Sequence, residues 1–344
     1  MKLAVVLFNL GGPDSPAAVE PFLRNLFSDP AIIALPAIVR LPLAWLIARR
    51  RAPVARAIYD HIGGRSPIVE ETESQARALE TILSGNGTEA KVFIAMRCWH
   101  PMSDEAARAV KAFAPDRIVL LPLYSQFSTT TTASSLKDWA RAATAAGVAA
   151  PATAVCCYPV ERGFIEAAAA QIRTALAGAR PGLSYRLLLS AHGLPKATIA
   201  RGDPYQWQVE QSARAIVEAL AVPGLDWQVC YQSRVGPLQW IGPATDAEIR
   251  RAGAEGKGVV VAPIAFVSEH SETLVELDIE YARLAREAGV PHYLRAATVG
   301  VHSAFTAGLA GLVHQALASE TTVNGGWGRL CPVQFGRCGF GEER

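Results

Sequence analysis

The feature that most constrains the fold is a repeated alternation. Short, nearly unbroken apolar runs occur at residues 3–9, 91–96, 117–123 and 153–157, and again at 185–190, 228–231, 258–266 and 292–295. Such runs read as strands buried on both faces. Between them lie segments with helical spacing at 70–83, 104–114, 135–146, 161–177, 208–220, 246–254 and 273–288, and a last one at 303–318. Alternating strands and helices give parallel sheets covered by helices. The two series also look like a duplication. LAVVLFNLGGPD (3–14) matches YRLLLSAHGLPK (185–196), and RIVLLPLYSQFSTTTTASS (117–135) matches GVVVAPIAFVSEHSET (258–273). The pattern predicts an α/β fold of two Rossmann-like domains. Each is a roughly four-stranded parallel sheet with helices on both faces, and the active-site cleft lies between them. The first domain is expected over 1–160 plus about 300–320, with an apolar insertion at 20–60. The second is expected over 161–299, followed by a cysteine-containing tail at 321–344.

Composition removes several functions. The 344 residues carry 33 Lys and Arg against 31 Asp and Glu, a net charge of +2. That is too little for a nucleic-acid binder held by a general basic field. No run approaches the ~18 uncharged apolar residues of a membrane-spanning helix, and the N-terminus reads as a first strand rather than a signal peptide. A cytoplasmic protein is expected, in which six cysteines are free or metal-bound rather than paired. The insertion is apolar, interrupted by Pro36 and Pro42 and closed by Arg49, Arg50 and Arg51. It reads either as two buried helices or as an exposed lip at 26–51. Such a lip would rest peripherally on the inner face of the cytoplasmic membrane, with the arginines at the headgroups.

Chemistry concentrates at 263–281, PIAFVSEHSETLVELDIEY. A helix starting near 268 would align Glu269, Glu272, Glu276 and Glu280 in a ridge of carboxylates. Like charges at this spacing oppose a helix by roughly 0.2–0.5 kcal/mol per pair. A solvated polar face is the bland explanation. However, the ridge begins at the C-terminal end of a strand, where open α/β sheets place their sites, and it carries His270. His192, on the Gly turn of SAHGLP (190–195), ends another strand of the same series. A histidine near several glutamates suits a divalent first-row metal and a proton route. Glu280, further along, is expected to be ordinary surface. No HExxH, GxxxxGK[ST] or post-strand GxGxxG motif is present.

The motifs FNLGGPDS (8–15), FLRNLFSDPAII (22–33), YDHIGGRSPI (59–68), SAHGLP (190–195), RGDPY (201–205), YQSRVGPLQWIGP (231–243) and the 263–281 stretch together resemble the protoporphyrin ferrochelatase family over nearly the whole chain. The resemblance implies insertion of Fe²⁺ into protoporphyrin IX with release of two protons. It makes His192 and Glu272 the catalytic and metal-handling pair, with Glu269, His270 and Glu276 as the metal and proton path. It implies substrate contacts from Leu10, Tyr59, Arg97, Trp240 and Phe266, with Ser66 and Ser125 at the pocket rim. Cys98 follows the pocket arginine where the family often has an aromatic residue, which would open room, offer a soft ligand or simply fill the core. Many family members carry a 2Fe–2S cluster, for which Cys156, Cys157, Cys331 and Cys338 are the expected ligands. Coproporphyrin as the substrate, a sirohydrochlorin-type chelatase and a porphyrin-binding paralogue without turnover are the competing readings. The oligomeric state is left open.

Overall fold

A computed structural model describes residues 1–340 apart from 86, 235, 237 and 327. Val235 and Pro237 of the 231–243 motif therefore lie outside the described residues. The chain divides into two compact units. One is Met1–Cys157 with Leu309–Leu330 and Gly339–Arg344; the other is Tyr158–Gly308 with Cys331–Cys338. The chain thus passes back to the first unit inside its last helix, and 331–338 belongs to the second unit.

The first unit is built on β1 (Lys2–Asn9), β2 (Glu89–Met96), β3 (Arg117–Pro122) and β4 (Ala152–Ala154). All pair in parallel in the order β2-β1-β3-β4. The central strand β1 is buried from its second residue onward, which its unbroken LAVVLFN run demands. Around the sheet lie α1 (Val19–Ser28), α2 (Ala37–Asp60), α3 (Ile68–Leu83), α4 (Ser103–Phe113) and α5 (Thr132–Ala146). Val6 and Phe8 of β1 pack with Val110 of α4 and Trp139 of α5, the last ring edge-on to Phe8 at 6.0 Å.

The insertion departs from its reading as two helices broken at Pro36 and Pro42. Helix α2 runs through Pro42 and Pro53 without ending. Each proline removes one i→i−4 bond. The displaced acceptors belong to Ile38 and Arg49, both exposed residues where water serves instead. The buried stripe of α2 is Ala44, Ala48, Ala52 and Tyr59, and its small alanines let α1 approach closely. Its larger apolar residues face out: Ile38 is 85% exposed and Val54 66%, with Val39, Leu41, Trp45 and Leu46 also exposed. Arg49 sits over the Trp45 ring, 5.4 Å from its centre. Among the described residues, no helix is long and apolar enough to cross a membrane.

The second unit repeats the plan. Strands β5 (Tyr185–His192), β6 (Asp226–Gln232), β7 (Gly258–Pro263) and β8 (Tyr293–Arg295) run parallel in the order β6-β5-β7-β8. Helices α6 (Arg162–Leu176), α7 (Lys196–Ala200), α8 (Tyr205–Leu220), α9 (Thr245–Ala254), α10 (Ser271–Leu274) and α11 (Ala282–Glu287) accompany them, and α12 (Ser303–Leu317) closes the series. Leu188, Cys230, Val259 and Val261 of the sheet pack on Ile249, Ala252 and Leu284. At the opposite end of β5 from its site residues, buried Arg186 binds Asp226 and Glu255, which Lys257 also bridges. Equal strand order in the two units agrees with the duplication seen in the sequence.

Between α10 and α11, residues Glu276–Tyr281 form a π-helix, in which Glu280 N–H donates to Val275 O at 2.9 Å. The continuous helix expected from about 268 is therefore replaced by three short pieces, starting at Ser271 after an extended His270. The wider turn rotates each later residue off the expected ridge. Glu280 is exposed.

Candidate functional site

In the second unit, β5 and β7 are neighbours on which the connections leave in opposite directions. Their C-terminal ends are thus a topological switch point. His192 is the last residue of β5, and the turn after β7 delivers Phe266, His270 and Glu272 to the same edge. Gly193 must be glycine here. A Cβ would stand 2.9 Å from Gln232 O and 3.3 Å from the Trp240 ring.

Two imidazoles converge on one carboxylate. Glu272 Oε2 lies 3.0 Å from His192 Nδ1 and 3.7 Å from His270 Nε2. The rings of His270 and Phe266 are 4.6 Å apart, and those of His192 and Phe266 6.5 Å. His192 and Glu272 keep 37% and 29% of their side-chain surface open, so both are reachable. Burial opposes a charge on His192, but the facing Glu272 carboxylate, helped by Glu276, holds the imidazole above its ordinary value. Burial likewise opposes a charged Glu272, and His192 and then His270 hold it well below the usual carboxylate range. Each partner therefore favours the charged form of the other.

Glu276 differs. Its Oε1 accepts from Ser233 N–H at 2.8 Å and Tyr281 OH at 3.0 Å. Its Oε2 accepts from Gln232 Nε2 at 3.0 Å and from the Ser233 hydroxyl. Burial, then repulsion from Glu272, nonetheless raises its pKa. Ser233 adopts φ of 59°, a left-handed conformation costly for a non-glycine residue and often retained at sites. Gln232 Nε2 also donates to Glu272 O at 2.9 Å, and Gln232 Oε1 accepts from Ser190 Oγ at 2.8 Å. One amide therefore ties Glu272, Glu276 and the end of β5 together.

Glu269 is placed apart from this group. Its Oε1 accepts from Arg295 Nη1 at 2.6 Å and from Thr298 N–H at 2.9 Å. Burial raises its pKa, but Arg295 outweighs that and leaves it lowered. Glu269 is thus engaged by an arginine rather than grouped with His192, as a path residue would be. Trp240 forms an antiparallel bridge with Pro195, beside the Gly193 turn, and its indole N–H is buried without a partner.

In the first unit, Arg97 follows β2. Its Nη2 pairs with Asp29 at 2.9 Å and its Nε donates to Ser134 Oγ at 2.7 Å. Ser134 in turn donates to Asp29, which is buried. Leu10 leaves β1 with its carbonyl accepting Cys98 N–H at 2.9 Å. Tyr59 and Cys98 are buried with Val19, Phe22 and Ala48, and Leu10 packs against them. Burial pushes the Cys98 thiol up to about 12. A thiol that stays protonated is a core residue, not a soft ligand. Ser66 and Ser125 are both buried; Ser66 N–H donates to Pro13 O at 2.8 Å and Ser125 Oγ to Gln126 Oε1 at 3.0 Å. Sequence reasoning missed Asp29, Gln232, Ser233, Tyr281 and Arg295. The first four lie inside quoted motifs, so polar residues within those motifs were the available signal.

The cysteines do not support the cluster. In the first unit Cys156 and Cys157 are buried beside Phe127, with sulfurs 3.1 Å apart. In the second, Gln208 Nε2 donates to Cys331 Sγ at 3.1 Å, and Cys338 is half-buried. Among the described residues, no group of three or more His, Cys, Asp or Glu side chains is arranged to hold a metal ion. A resident 2Fe–2S group is thus without support among the described residues, and no step is routed through one.

The family model for ferrochelatase matches residues 2–317. The ferrochelatase of Phenylobacterium zucineum is 59% identical, covering 98% of each chain. That of Caulobacter vibrioides is 57% identical, covering 98% of this chain and 97% of the other. Among solved structures, the sirohydrochlorin chelatase SirB of Bacillus subtilis subspecies spizizenii, in complex with cobalt, superposes with a TM-score of 0.55. It is 12% identical and covers 93% of this chain and 97% of its own, a likeness that shows the fold alone. On the family match and the identity of its relatives, the chain belongs to the ferrochelatase family of metal chelatases.

Proposed function

We propose that the protein inserts ferrous iron into protoporphyrin IX to give protohaem, releasing two protons. The observation that carries the reading is the convergence of His192 and His270 on Glu272 at the switch point of the second sheet. Iron enters as Fe²⁺ and leaves as Fe²⁺, so there is no redox step. Each pyrrole N–H that gives way to an Fe–N bond releases one proton. A neutral imidazole is the base suited to that task near neutral pH. Because Glu272 favours the protonated form of His192, the imidazole has to be neutral when it takes a pyrrole proton. Glu276 is the natural next acceptor: its pKa is raised and Gln232 ties it to Glu272. The Glu272 carboxylate, held ionised, would attract the incoming cation and replace part of its hydration. Within the second unit, Phe266 and Trp240 would supply aromatic surface for a flat macrocycle, and the family resemblance makes Leu10, Tyr59 and Arg97 further expected substrate contacts.

Protoporphyrin is favoured over coproporphyrin by the outward apolar face of α2. That face, with Arg49 beside Trp45, suits peripheral contact with an anionic membrane from which a poorly soluble ring would be drawn. Anaerobic incubation with Fe²⁺ and each porphyrin separately tests the reading. Faster metallation of protoporphyrin supports it, and exclusive use of coproporphyrin replaces it with the other substrate.

A further inference from the structure

The pieces that carry the candidate site are too short to hold themselves. Helix α10 has four residues and the π-helix six, well below the ~12 at which an isolated helix becomes even marginal in water. His270 caps the first, Glu272 lies within it and Glu276 opens the second, so their spacing must be set from outside. The neighbouring strand β8 supplies the clamps. Tyr293 OH donates to Leu277 O at 2.8 Å, inside the π-helix. Arg295, the last residue of β8, reaches further. Its Nε and Nη2 donate to the two oxygens of Asp278 at 2.8 and 2.7 Å, and its Nη1 to Glu269 Oε1 at 2.6 Å.

We propose that Arg295 is a positioning residue for metal insertion, fixing the distance between the His270–Glu272 turn and Glu276. The inference rests on the reading of those residues as the metal and proton site. One guanidinium grips the residue just before His270 and a residue two places after Glu276. A planar fork engaging a carboxylate in two bonds fixes direction as well as distance, which an ammonium cannot do. Arg295 is itself held by register: Val261 of β7 faces it in the ladder, and Ala296 N–H bonds Val261 O at 2.9 Å. The second oxygen of Glu269 is buried with no partner. Without Arg295, a buried carboxylate three residues from Glu272 would keep the Thr298 N–H and the Thr273 hydroxyl but no counter-ion. The turn would then have to move outward or take up a proton.

The test uses the full-length protein and steady-state metallation of protoporphyrin with Zn²⁺ or anaerobic Fe²⁺. Arg295→Gln is expected to lower kcat/KM for the metal about 10- to 100-fold, the usual cost of losing a partner that orients a ligand, with porphyrin KM within about twofold. Arg295→Lys, which keeps the charge but not the fork, should recover only part of that loss. Asp278→Asn removes one arm at an exposed carboxylate, so it remains informative if Arg295→Gln does not fold. It should raise the metal KM in the same direction. Arg186→Gln, at the far end of the same sheet, should lower the melting temperature and leave the metal KM unchanged. Metal parameters within twofold of wild type in Arg295→Gln and Asp278→Asn would overturn the proposal. So would matched losses in Arg295→Gln and Arg186→Gln with no change in metal KM. The wild-type arm reads the function separately. If it binds porphyrin and metallates none, the site reading fails and the positioning role with it.

Discussion

Glu272→Gln keeps the shape of the side chain and removes its charge, so it isolates what the carboxylate does for His192. Two unit charges about 4 Å apart attract by ~4 kcal/mol at an effective dielectric of about 20, and by ~1 kcal/mol in water. The pair is 3.0 Å apart and about a third of each side chain faces solvent. Discounting for that screening leaves about 1–2 kcal/mol. The raised His192 value means its share of the stabilisation is complete below about 6.5 and lost as pH rises through the folded value. The lowered Glu272 value means its share is present above about 4.3 and lost as pH falls through the folded value. Both are charged between those limits. The stability cost of Glu272→Gln should therefore be greatest near pH 5–6.5 and fade as pH rises through the folded His192 value. Thermal or urea unfolding of both proteins across that range measures it. In parallel, metallation should fall about 10²- to 10⁴-fold, the range for loss of a group in proton transfer. A stability loss of the same size at every pH would refute the charged pair, and a near-normal rate would refute its role.

Further expectations follow from other contacts. Tyr281→Phe removes one donor from Glu276, which raises that carboxyl further; metallation should slow at neutral pH and recover toward alkaline pH, and a rate ratio constant with pH counts against the relay. Asp29→Asn leaves Arg97 without its buried counter-ion, so urea unfolding should show about 3 kcal/mol of lost stability, and a loss under about 1 kcal/mol would mean the pair is dispensable. Charging the outer face of α2 with Ile38→Asp and Val54→Asp should leave the melting temperature within a few degrees, because both side chains are exposed. The same double variant should abolish co-sedimentation with anionic vesicles; unchanged sedimentation removes the membrane reading of this face.

Much of the architecture is legible in the sequence because parallel strands buried on both faces leave continuous apolar runs. The repeated Gly turn after LAVVLFN and YRLLLSA marks equivalent strand ends. The same logic finds His192 and Glu272, since a strand's C-terminal edge can be located without knowing the side-chain contacts. The π-helix at 276–281 is not legible. A ridge at 3.6-residue spacing assumes an ordinary helix, whereas the turn here widens in a segment held by Tyr293 and Arg295 from another strand. Those partners, like Gln232 and Ser233 for Glu276 and Asp29 for Arg97, are long-range in the chain and carry no local period. Pro42 misleads for a different reason: proline breaks a helix most strongly where its displaced carbonyl is buried, and α2 is solvent-facing there. The apolar residues of α2 predict burial by type, but the alanine stripe takes the buried face instead.

The most direct test of the central claim is anaerobic mixing of wild-type protein and His192→Ala with protoporphyrin IX and Fe²⁺, followed by absorbance, with porphyrin binding read separately by fluorescence. The expected result is a haem spectrum from wild type, and a variant that binds porphyrin with similar affinity yet forms haem at least about a hundredfold more slowly. Near-wild-type haem formation by His192→Ala would contradict the assignment of His192 as the base.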